Sequence, residues 1–260
     1  MQCPCSYDCS HEMHRNDGVA GLPAFILAAP GKDEEKAKRP ATGDTGLALN
    51  RILASLHSLL PEVFPSTCRY QYRIANAYSK ALYKSDSNNK TSPNVSDVDT
   101  DANKKRLLSE VKDAPLVIAL APSAKRLAPY LKANGCNILD FGEHPGQQAI
   151  NGGASKYKTY NGVTLKSAKD HLAGPNGATI RRLARSKERL EMLLSQMRYH
   201  SFAETGILGG LRAQKLFDCF IETSIIPNTQ ALPEPCEHCQ AFHQKWTKNW
   251  ETIEALLPFL

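Results

Sequence analysis

Four polar residues lie in loops beside apolar runs of the sequence: Glu34, Asp44, Asn76 and His144. A carboxylate can orient a water molecule or stabilise positive charge that develops beside it. An asparagine side chain offers both a donor and an acceptor, the pair needed to recognise a pyrimidine edge. A histidine can donate to an oxygen on which negative charge develops. If the fold brings these side chains together, they suit the hydrolysis of a bond to a heterocyclic ring.

The hydrophobic pattern predicts the elements that would position these loops. Short apolar runs are typical of buried parallel strands, and apolar residues three and four positions apart are typical of helices. Their alternation predicts one domain, residues 1–260, folded as a three-layer α/β/α sandwich around a mainly parallel four-stranded sheet. Ligands of such sheets bind at the carboxyl ends of the strands, where the loops lie. The predicted strands are residues 24–29, 70–75, 116–120 and 137–141, and the predicted helices are one capped by Thr45 and those over 124–134, 178–199, 208–221 and 240–256.

A polar stretch, residues 84–106, interrupts this alternation. Its apolar residues are Val95, Val98 and Ala102. So few apolar side chains cannot offset the entropy of ordering the chain. We therefore predict a flexible insertion there.

The overall composition, with 42% hydrophobic and 22% charged residues, is ordinary for a globular protein. No apolar run approaches the ~20 residues that span a bilayer. We expect a soluble, cytoplasmic protein that is a monomer and has no membrane partner.

Three motifs follow one another in a characteristic order. The first loop reads Leu27-Ala28-Ala29-Pro30-Gly31 and later Arg39-Pro40-Ala41-Thr42-Gly43, the second strand ends at Asn76, and the fourth leads into His144-Pro145-Gly146. In this order and spacing, residues 24–150 resemble the uracil-DNA glycosylase superfamily, above all its thermostable iron–sulfur branch. The resemblance implies an enzyme that flips a base out of DNA and hydrolyses its N-glycosidic bond, leaving an abasic site. It implies that the base lies among Ala28, Pro30, Gly31, Ala41 and Asn76.

The chain departs from that branch at two positions. Ala28 stands where the branch has its catalytic Glu, and Ala41 where it has a Phe that stacks on the base. Both changes remove volume, so we expect a pocket for a modified or bulky pyrimidine. Glucosylated hydroxymethylcytosine of phage DNA is one such base, which would imply a role in defence against phage. The catalytic acid would then be Glu34 or Asp44, with His144 stabilising the departing base.

Other functions remain open at this point. No lysine stands at a motif position, so a lyase step is not expected and the enzyme would be monofunctional. The alternatives are a repair glycosylase for uracil or another deaminated base, a catalytically inactive DNA-binding module, and a nucleotide-binding protein unrelated to DNA. At least two of the four acids in this region are expected only to balance nearby lysines, and Asp44 alternatively caps a helix.

A basic segment predicts contact with DNA. Between residues 152 and 198, ten Lys and Arg stand against three Asp and Glu, a net charge of +7, while the whole chain carries +6. Clustered cations attract phosphates, although a solvated helix face gives the same pattern. The expected DNA contacts are Lys156, Arg181, Arg182 and Arg185, together with Gln147 and Gln148, which would fill the space left by a flipped base.

Cysteines are concentrated near the two ends of the sequence. In a reducing compartment, such clusters indicate a metal before they indicate disulfides. We expect one structural zinc ion that joins residues 1–14 to residues 236–243, with surface thiols or an iron–sulfur cluster as alternatives. Cys68, Cys136 and Cys219 are expected to be buried thiols of the core. The predicted zinc ligands are Cys3, Cys5, Cys9, Cys236, Cys239 and His243.

Overall fold

The computed structural model describes residues 11–85, 90–152, 156–218 and 232–260. The strands are β1 (His11–Glu12), β2 (Arg15–Asn16), β3 (Ala24–Leu27), β4 (Arg73–Asn76), β5 (Val117–Ala119), β6 (Ile138–Leu139), β7 (Thr159–Tyr160) and β8 (Val163–Thr164). The α-helices are α1 (Lys32–Ala37), α2 (Asp44–Leu59), α3 (Val95–Val98), α4 (Asp101–Val111), α5 (Pro122–Ala133), α6 (Gln147–Asn151), α7 (Ala168–Ala173), α8 (Gly177–Ala184), α9 (Lys187–Ser201), α10 (Gly209–Ala213) and α11 (Glu237–Leu256). Short 3-10 helices cover Arg69–Gln71, Lys156–Lys158 and Leu257–Phe259.

The central sheet has the strand order β1-β2-β4-β3-β5-β6. Its four strands β4, β3, β5 and β6 are parallel, whereas β1 and β2 run antiparallel at one edge. Leu27 pairs with Asn76 in the register, so the loops after β3 and β4 leave the sheet side by side. The prediction of an α/β sandwich with a mainly parallel sheet is confirmed. The two additional strands, β1 and β2, are each two residues long and polar, so no hydrophobic periodicity predicts them.

Alternate residues of the buried strands face opposite layers, as strand geometry requires. Phe25 and Ile74 belong to a core cluster with Leu49 and Ile52 of α2. Ile26 belongs to a second cluster, on the other face, that includes residues of α4 and α5. A third cluster is built from α8, α9 and α11, with Ile180, Leu194 and Ile253 fully or almost fully buried.

The long helix predicted over residues 178–199 is wrong, because it is two helices. α8 ends at Ala184, and Arg185 adopts a left-handed conformation with φ of 66°. Ser186 then caps α9, its hydroxyl accepting from the backbone N–H of Arg189 over 3.1 Å. A serine N-cap with an acidic first turn starts a new helix even where the apolar periodicity continues.

The flexible insertion predicted over residues 84–106 is partly wrong as well. α3 and most of α4 lie in its second half. The Thr100 hydroxyl caps α4 by accepting from the backbone N–H of Asn103 over 3.2 Å, and Val98 is buried against the same cluster as Leu107. A buried valine, a threonine cap and the side-chain bonds of Asn103 thus help to order a segment whose composition is almost wholly polar.

Three helix boundaries also differ from the prediction. The second helix begins at Asp44 with Gly43 rather than Thr45 at its N-cap. The helix predicted over 208–221 is divided: a π-helix, Phe202–Leu208, continues α9 and leads into α10, and residues 216–218 are helical again after a turn; residues 219–221 lie outside the described ranges. The last helix begins three residues earlier than predicted, at Glu237. Of the helices described, none is long and apolar enough to cross a bilayer.

Candidate functional site

The three motif loops meet around one cavity of about 370 Å³ at the carboxyl edge of the parallel strands. This edge is where parallel sheets place their ligands. The cavity is lined by seven of the predicted catalytic and base-binding residues, namely Ala28, Pro30, Gly31, Glu34, Ala41, Asn76 and His144, and also by Gln148. The fold therefore brings together side chains that are up to 120 positions apart in the sequence.

Glu34 is a buried carboxylate, only 9% exposed, that organises the first loop. Its Oε2 accepts from the backbone N–H of Gly31 over 3.0 Å. Its Oε1 accepts from the backbone N–H groups of Thr42 and Gly43 over 3.1 and 3.2 Å. These bonds fasten the start of α2 to the loop after β3. Glu34 thus lies at the cavity wall as a fixed negative charge.

Asp44 lies away from this wall. It is exposed in the first turn of α2, and Thr45 rather than Asp44 lines the cavity. Burial raises the pKa of Tyr199; Arg51 opposes this increase, and the charge of Asp44 adds a smaller increase. An acidic residue in the first turn stabilises a helix, which accounts for Asp44 without catalysis.

Asn76, at the end of β4, is 1% exposed. Its Nδ2 donates to the carbonyl of His14 over 3.1 Å. Its Oδ1 is buried and has no hydrogen-bond partner among the residues that the structure describes. A buried acceptor without a partner is costly, so this oxygen marks a place where a donor belongs.

His144 faces the same cavity with a defined tautomer. Its Nδ1 lies 3.0 Å from the backbone N–H of Gly146, which donates to it. Burial lowers the pKa of His144 below its ordinary value, so the ring is neutral at neutral pH. The proton of the neutral ring is then on Nε2, which makes that atom a donor.

Small side chains widen the space around these groups. Ala28 and His144 also line a second hollow of about 280 Å³, which adjoins the first and includes Ser123 and Arg126. Ala41 has a positive φ of 52° and is 1% exposed. Neither residue has side-chain atoms beyond Cβ at the cavity that both of them line.

Tyr70 holds the second half of the first loop and is itself in contact with Arg69. The sequence did not single out either residue as part of the site. The Tyr70 hydroxyl donates to the carbonyl of Pro40 over 3.0 Å. The guanidinium of Arg39 lies 3.5 Å from the centre of the Tyr70 ring, and that of the fully buried Arg69 lies 4.5 Å from it. No local pattern signals this contact, because Tyr70 and Pro40 are 30 positions apart.

The predicted DNA contacts are divided between two regions. Gln147 and Gln148 are exposed on α6 directly after the His144 loop. Arg181, Arg182 and Arg185 are exposed on and just after α8, which packs against α7, α9 and α11. The side chain of Lys156 lies outside the described part. The arginines are therefore available to phosphates, but they belong to a different helical layer from the cavity.

The predicted zinc ligands are only partly described, since Cys3, Cys5 and Cys9 lie outside the described residues. The Cys239 thiol contacts Cys236 and donates to the sulfur of the fully buried Cys68. These contacts raise the pKa of Cys239 and lower that of Cys68. His243 packs edge-on against His57 at 5.6 Å between ring centres.

Within the described ranges, no three His, Cys, Asp or Glu side chains are placed to hold a metal ion. Cys68 was expected only as a core thiol; its pairing with Cys239, 171 positions away, has no signal in the spacing of the cysteines.

Known proteins give no further guide to this site. No protein-family model matches the chain, and no curated protein is significantly similar to it.

Proposed function

We propose that this protein is a monofunctional DNA glycosylase that hydrolyses the N-glycosidic bond of a flipped-out modified or bulky pyrimidine. One observation carries the proposal: Asn76, whose buried Oδ1 has no described partner, and His144, whose ring is a donor at Nε2, line the same cavity as Glu34. The three groups match the three needs of the reaction, which are recognition of the base, stabilisation of its departure and negative charge near the sugar.

Recognition of the base rests on Asn76. Its Oδ1 would accept from an N–H group on the pyrimidine edge, either the amino group of a cytosine or the imide N–H of a uracil. The bond to His14 holds the amide in place before DNA arrives. A site that is already organised loses less entropy on binding.

Departure of the base rests on His144. When the bond between C1′ and the ring nitrogen breaks, its electron pair stays on the base, and negative charge spreads to the O2 oxygen. The N–H at Nε2 of His144 would donate to that oxygen. Because burial keeps the ring neutral, the donor costs little to hold in the cavity before the reaction.

Attack by water rests on Glu34. A carboxylate has about four lone-pair sites, and three backbone N–H groups occupy three of them. The remaining site would hold the water whose oxygen adds to C1′, while its proton is released and the base anion is protonated. The fixed charge would also stabilise the oxocarbenium-like sugar. Asp44 is set aside for this role because it is exposed outside the cavity.

The preference for a bulky base rests on Ala28, which lines both adjoining hollows, and on Ala41, which lines the motif cavity. Glucosylated hydroxymethylcytosine would use that space, and its removal from phage DNA would act in cytoplasmic defence against phage. A structural zinc ion held by cysteines that include Cys236 and Cys239 belongs to the same proposal, as does action of the protein as a monomer.

The direct test uses oligonucleotides that carry uracil, hypoxanthine or glucosylated hydroxymethylcytosine, with alkali to reveal abasic sites. Abasic sites formed fastest from the glucosylated base are expected. Faster reaction with uracil or hypoxanthine would favour a repair enzyme instead. DNA binding without abasic sites from any substrate would favour an inactive module.

Contact with DNA is tested separately by replacing Arg181, Arg182 and Arg185 with Gln. Each lost phosphate contact should reduce the slope of log affinity against log salt by about 0.9. A matched control replaces Lys105, Lys112 and Lys132, which are exposed on and beside α4 and α5, with Gln. Equal slopes for the two triple variants would contradict a role for the α8 arginines.

A further inference from the structure

A further cavity lies outside the motif loops. It has a volume of about 540 Å³ and is bounded by α2, α9 and α11, with Gln147 of α6 contributing to its wall. Sites for small ligands and cofactors typically have volumes of about 300–1,000 Å³. None of the proposed catalytic groups lines it.

One short helix separates this cavity from the motif cavity. Gln147 lines the larger cavity and Gln148 lines the motif cavity. Both are consecutive residues of α6, which with its side chains is about 10–12 Å across. The two cavities therefore open on neighbouring sides of one short helix, close enough for a single strand to reach both.

The walls of the larger cavity combine aromatic surface with positive charge. Phe242 and Trp246 form a ring pair with centres 5.9 Å apart, and Trp246 is 7% exposed. Arg51 and the exposed Lys245 stand at the same wall, opposed by Glu191. Glu191 is already engaged, since its Oε1 accepts from the backbone N–H of Ala168 over 2.9 Å. Aromatic faces with adjacent cations suit a base joined to a phosphate.

We propose that this second cavity binds the nucleotide next to the flipped one on the same strand, with its base against Phe242 and Trp246 and its phosphate near Arg51 and Lys245. The inference rests on the proposed DNA glycosylase function, because it takes the motif cavity as the place of the first nucleotide. It adds a second point of attachment, which would make the enzyme sensitive to the identity and presence of a neighbouring base.

The test compares binding of single-stranded heptanucleotides with glucosylated hydroxymethylcytosine at the centre. In one set both neighbours are intact, and in the others the 5′ or the 3′ neighbour is a tetrahydrofuran that lacks a base. Loss of one particular neighbouring base should weaken binding to the native protein by about 5- to 150-fold, the usual range for one stacked base. Phe242→Leu keeps an apolar side chain and should largely abolish that difference.

Two lysine variants on α11 complete the design. Lys245→Ala should weaken binding of every oligonucleotide and flatten its salt dependence, whereas Lys248→Ala, exposed on the same helix but outside the cavity wall, should behave as the native protein. If removal of the neighbouring base weakens binding equally in the native protein and in Phe242→Leu, the proposal is overturned. Binding of free deoxycytidine monophosphate, with no effect of either neighbour, would overturn it in favour of a free nucleotide.

Abasic-site formation from the same heptanucleotides is measured in parallel. If no abasic sites form but the neighbouring base still acts through Phe242, the catalytic function fails and the second nucleotide site stands. If abasic sites form without any effect of the neighbour, the second site fails and the glycosylase stands.

Discussion

The side-chain amide of Asn76 donates to the main-chain carbonyl of His14 over 3.1 Å, joining the end of β4 to the turn between β1 and β2. Because a carbonyl accepts and cannot donate, this contact fixes which end of the amide is nitrogen. The oxygen is left buried, with no hydrogen-bond partner among the residues that the structure describes. An N-terminal turn therefore determines the hydrogen-bonding character of a site built from loops far along the chain.

Asn76→Ala tests this oxygen directly. We expect the single-turnover rate of abasic-site formation to fall by about 100-fold, as for loss of one well-placed polar contact in a transition state. Asn137→Ala, an exposed asparagine beside β6, should leave the rate unchanged. Rates are measured below the unfolding temperature of each variant, because loss of the His14 contact also removes a hydrogen bond worth about 1 kcal/mol. A native rate in folded Asn76→Ala would contradict the role of Asn76.

Gly146→Ala tests the tautomer of His144. A Cβ at this position would lie 2.9 Å from Nδ1 of His144, too close for van der Waals contact. The ring must then shift, and a displacement of about 1 Å costs on the order of 100-fold in rate. Gly174→Ala is the control, because its Cβ would meet its nearest neighbour at 3.4 Å. The rates of both variants are compared with that of His144→Gln; a native rate for Gly146→Ala would show that the position of the ring is unimportant.

Ala28→Phe tests the width of the pocket. The new ring would fill the space shared by the two adjoining hollows, so the ratio of rates on glucosylated hydroxymethylcytosine and uracil should fall by at least about 10-fold. Ala28 suits this test better than Ala41, because Ala41 has a φ of 52° and a bulky residue there would strain the backbone. Ala133→Phe, exposed at the end of α5, serves as the control. An unchanged ratio would contradict the assignment of the hollows to the base.

Stability should depend on pH through His200. Burial among the rings of Tyr160 and Trp250 lowers the pKa of His200 from 6.5 to about 4. The unfolded chain therefore takes up a proton at a higher pH than the folded chain. The free energy of unfolding should fall as the pH drops from about 6.5 to about 4, by at most about 1.4 kcal/mol per pH unit from this residue.

The measurement is urea denaturation at several pH values in this window. His200→Gln should show a shallower decrease than the native protein. Some decrease should persist, because burial lowers the pKa values of His144, His171 and His243 in the same direction. Identical slopes for the native protein and His200→Gln would contradict the prediction.

A metal analysis tests the proposed zinc ion. The purified protein should contain about one equivalent of zinc, and Cys239→Ser should lower both the zinc content and the unfolding temperature, because a structural metal stabilises only the folded state. Cys136→Ser changes a buried thiol in the cluster on the opposite face of the sheet and should keep its zinc. A native protein free of metal, or a Cys239→Ser variant with full zinc, would contradict the proposal.

The sequence predicts the parallel core of the sheet because strands such as Ala24–Leu27 are continuous apolar runs. It also predicts that the motif loops gather at one edge, since that follows from parallel topology. It does not distinguish Glu34 from Asp44. Both are acids in the same loop region, and only the backbone N–H groups of Gly31, Thr42 and Gly43 place one of them at the cavity.

The sequence analysis did not predict the helix break at Arg185 or the helix at Asp101–Val111, and the reason is the same for both. Each helix begins at a capping hydroxyl, Ser186 or Thr100, and such a local signal is weaker than hydrophobic periodicity or composition. Contacts between distant positions, such as Cys68 with Cys239, depend on tertiary packing alone. Local patterns carry no information about them.

The antiparallel hairpin of β1 and β2 also bears on the tendency of the protein to aggregate. An uncovered strand edge offers unpaired N–H and C=O groups to other molecules. Here β4, whose two central residues are apolar, is covered by β2, and the outermost of the described strands on this side is a two-residue segment beginning at His11. The opposite outer strand, β6, is equally short. The hairpin thus shields the sheet against edge-to-edge polymerisation while it orients the amide of Asn76.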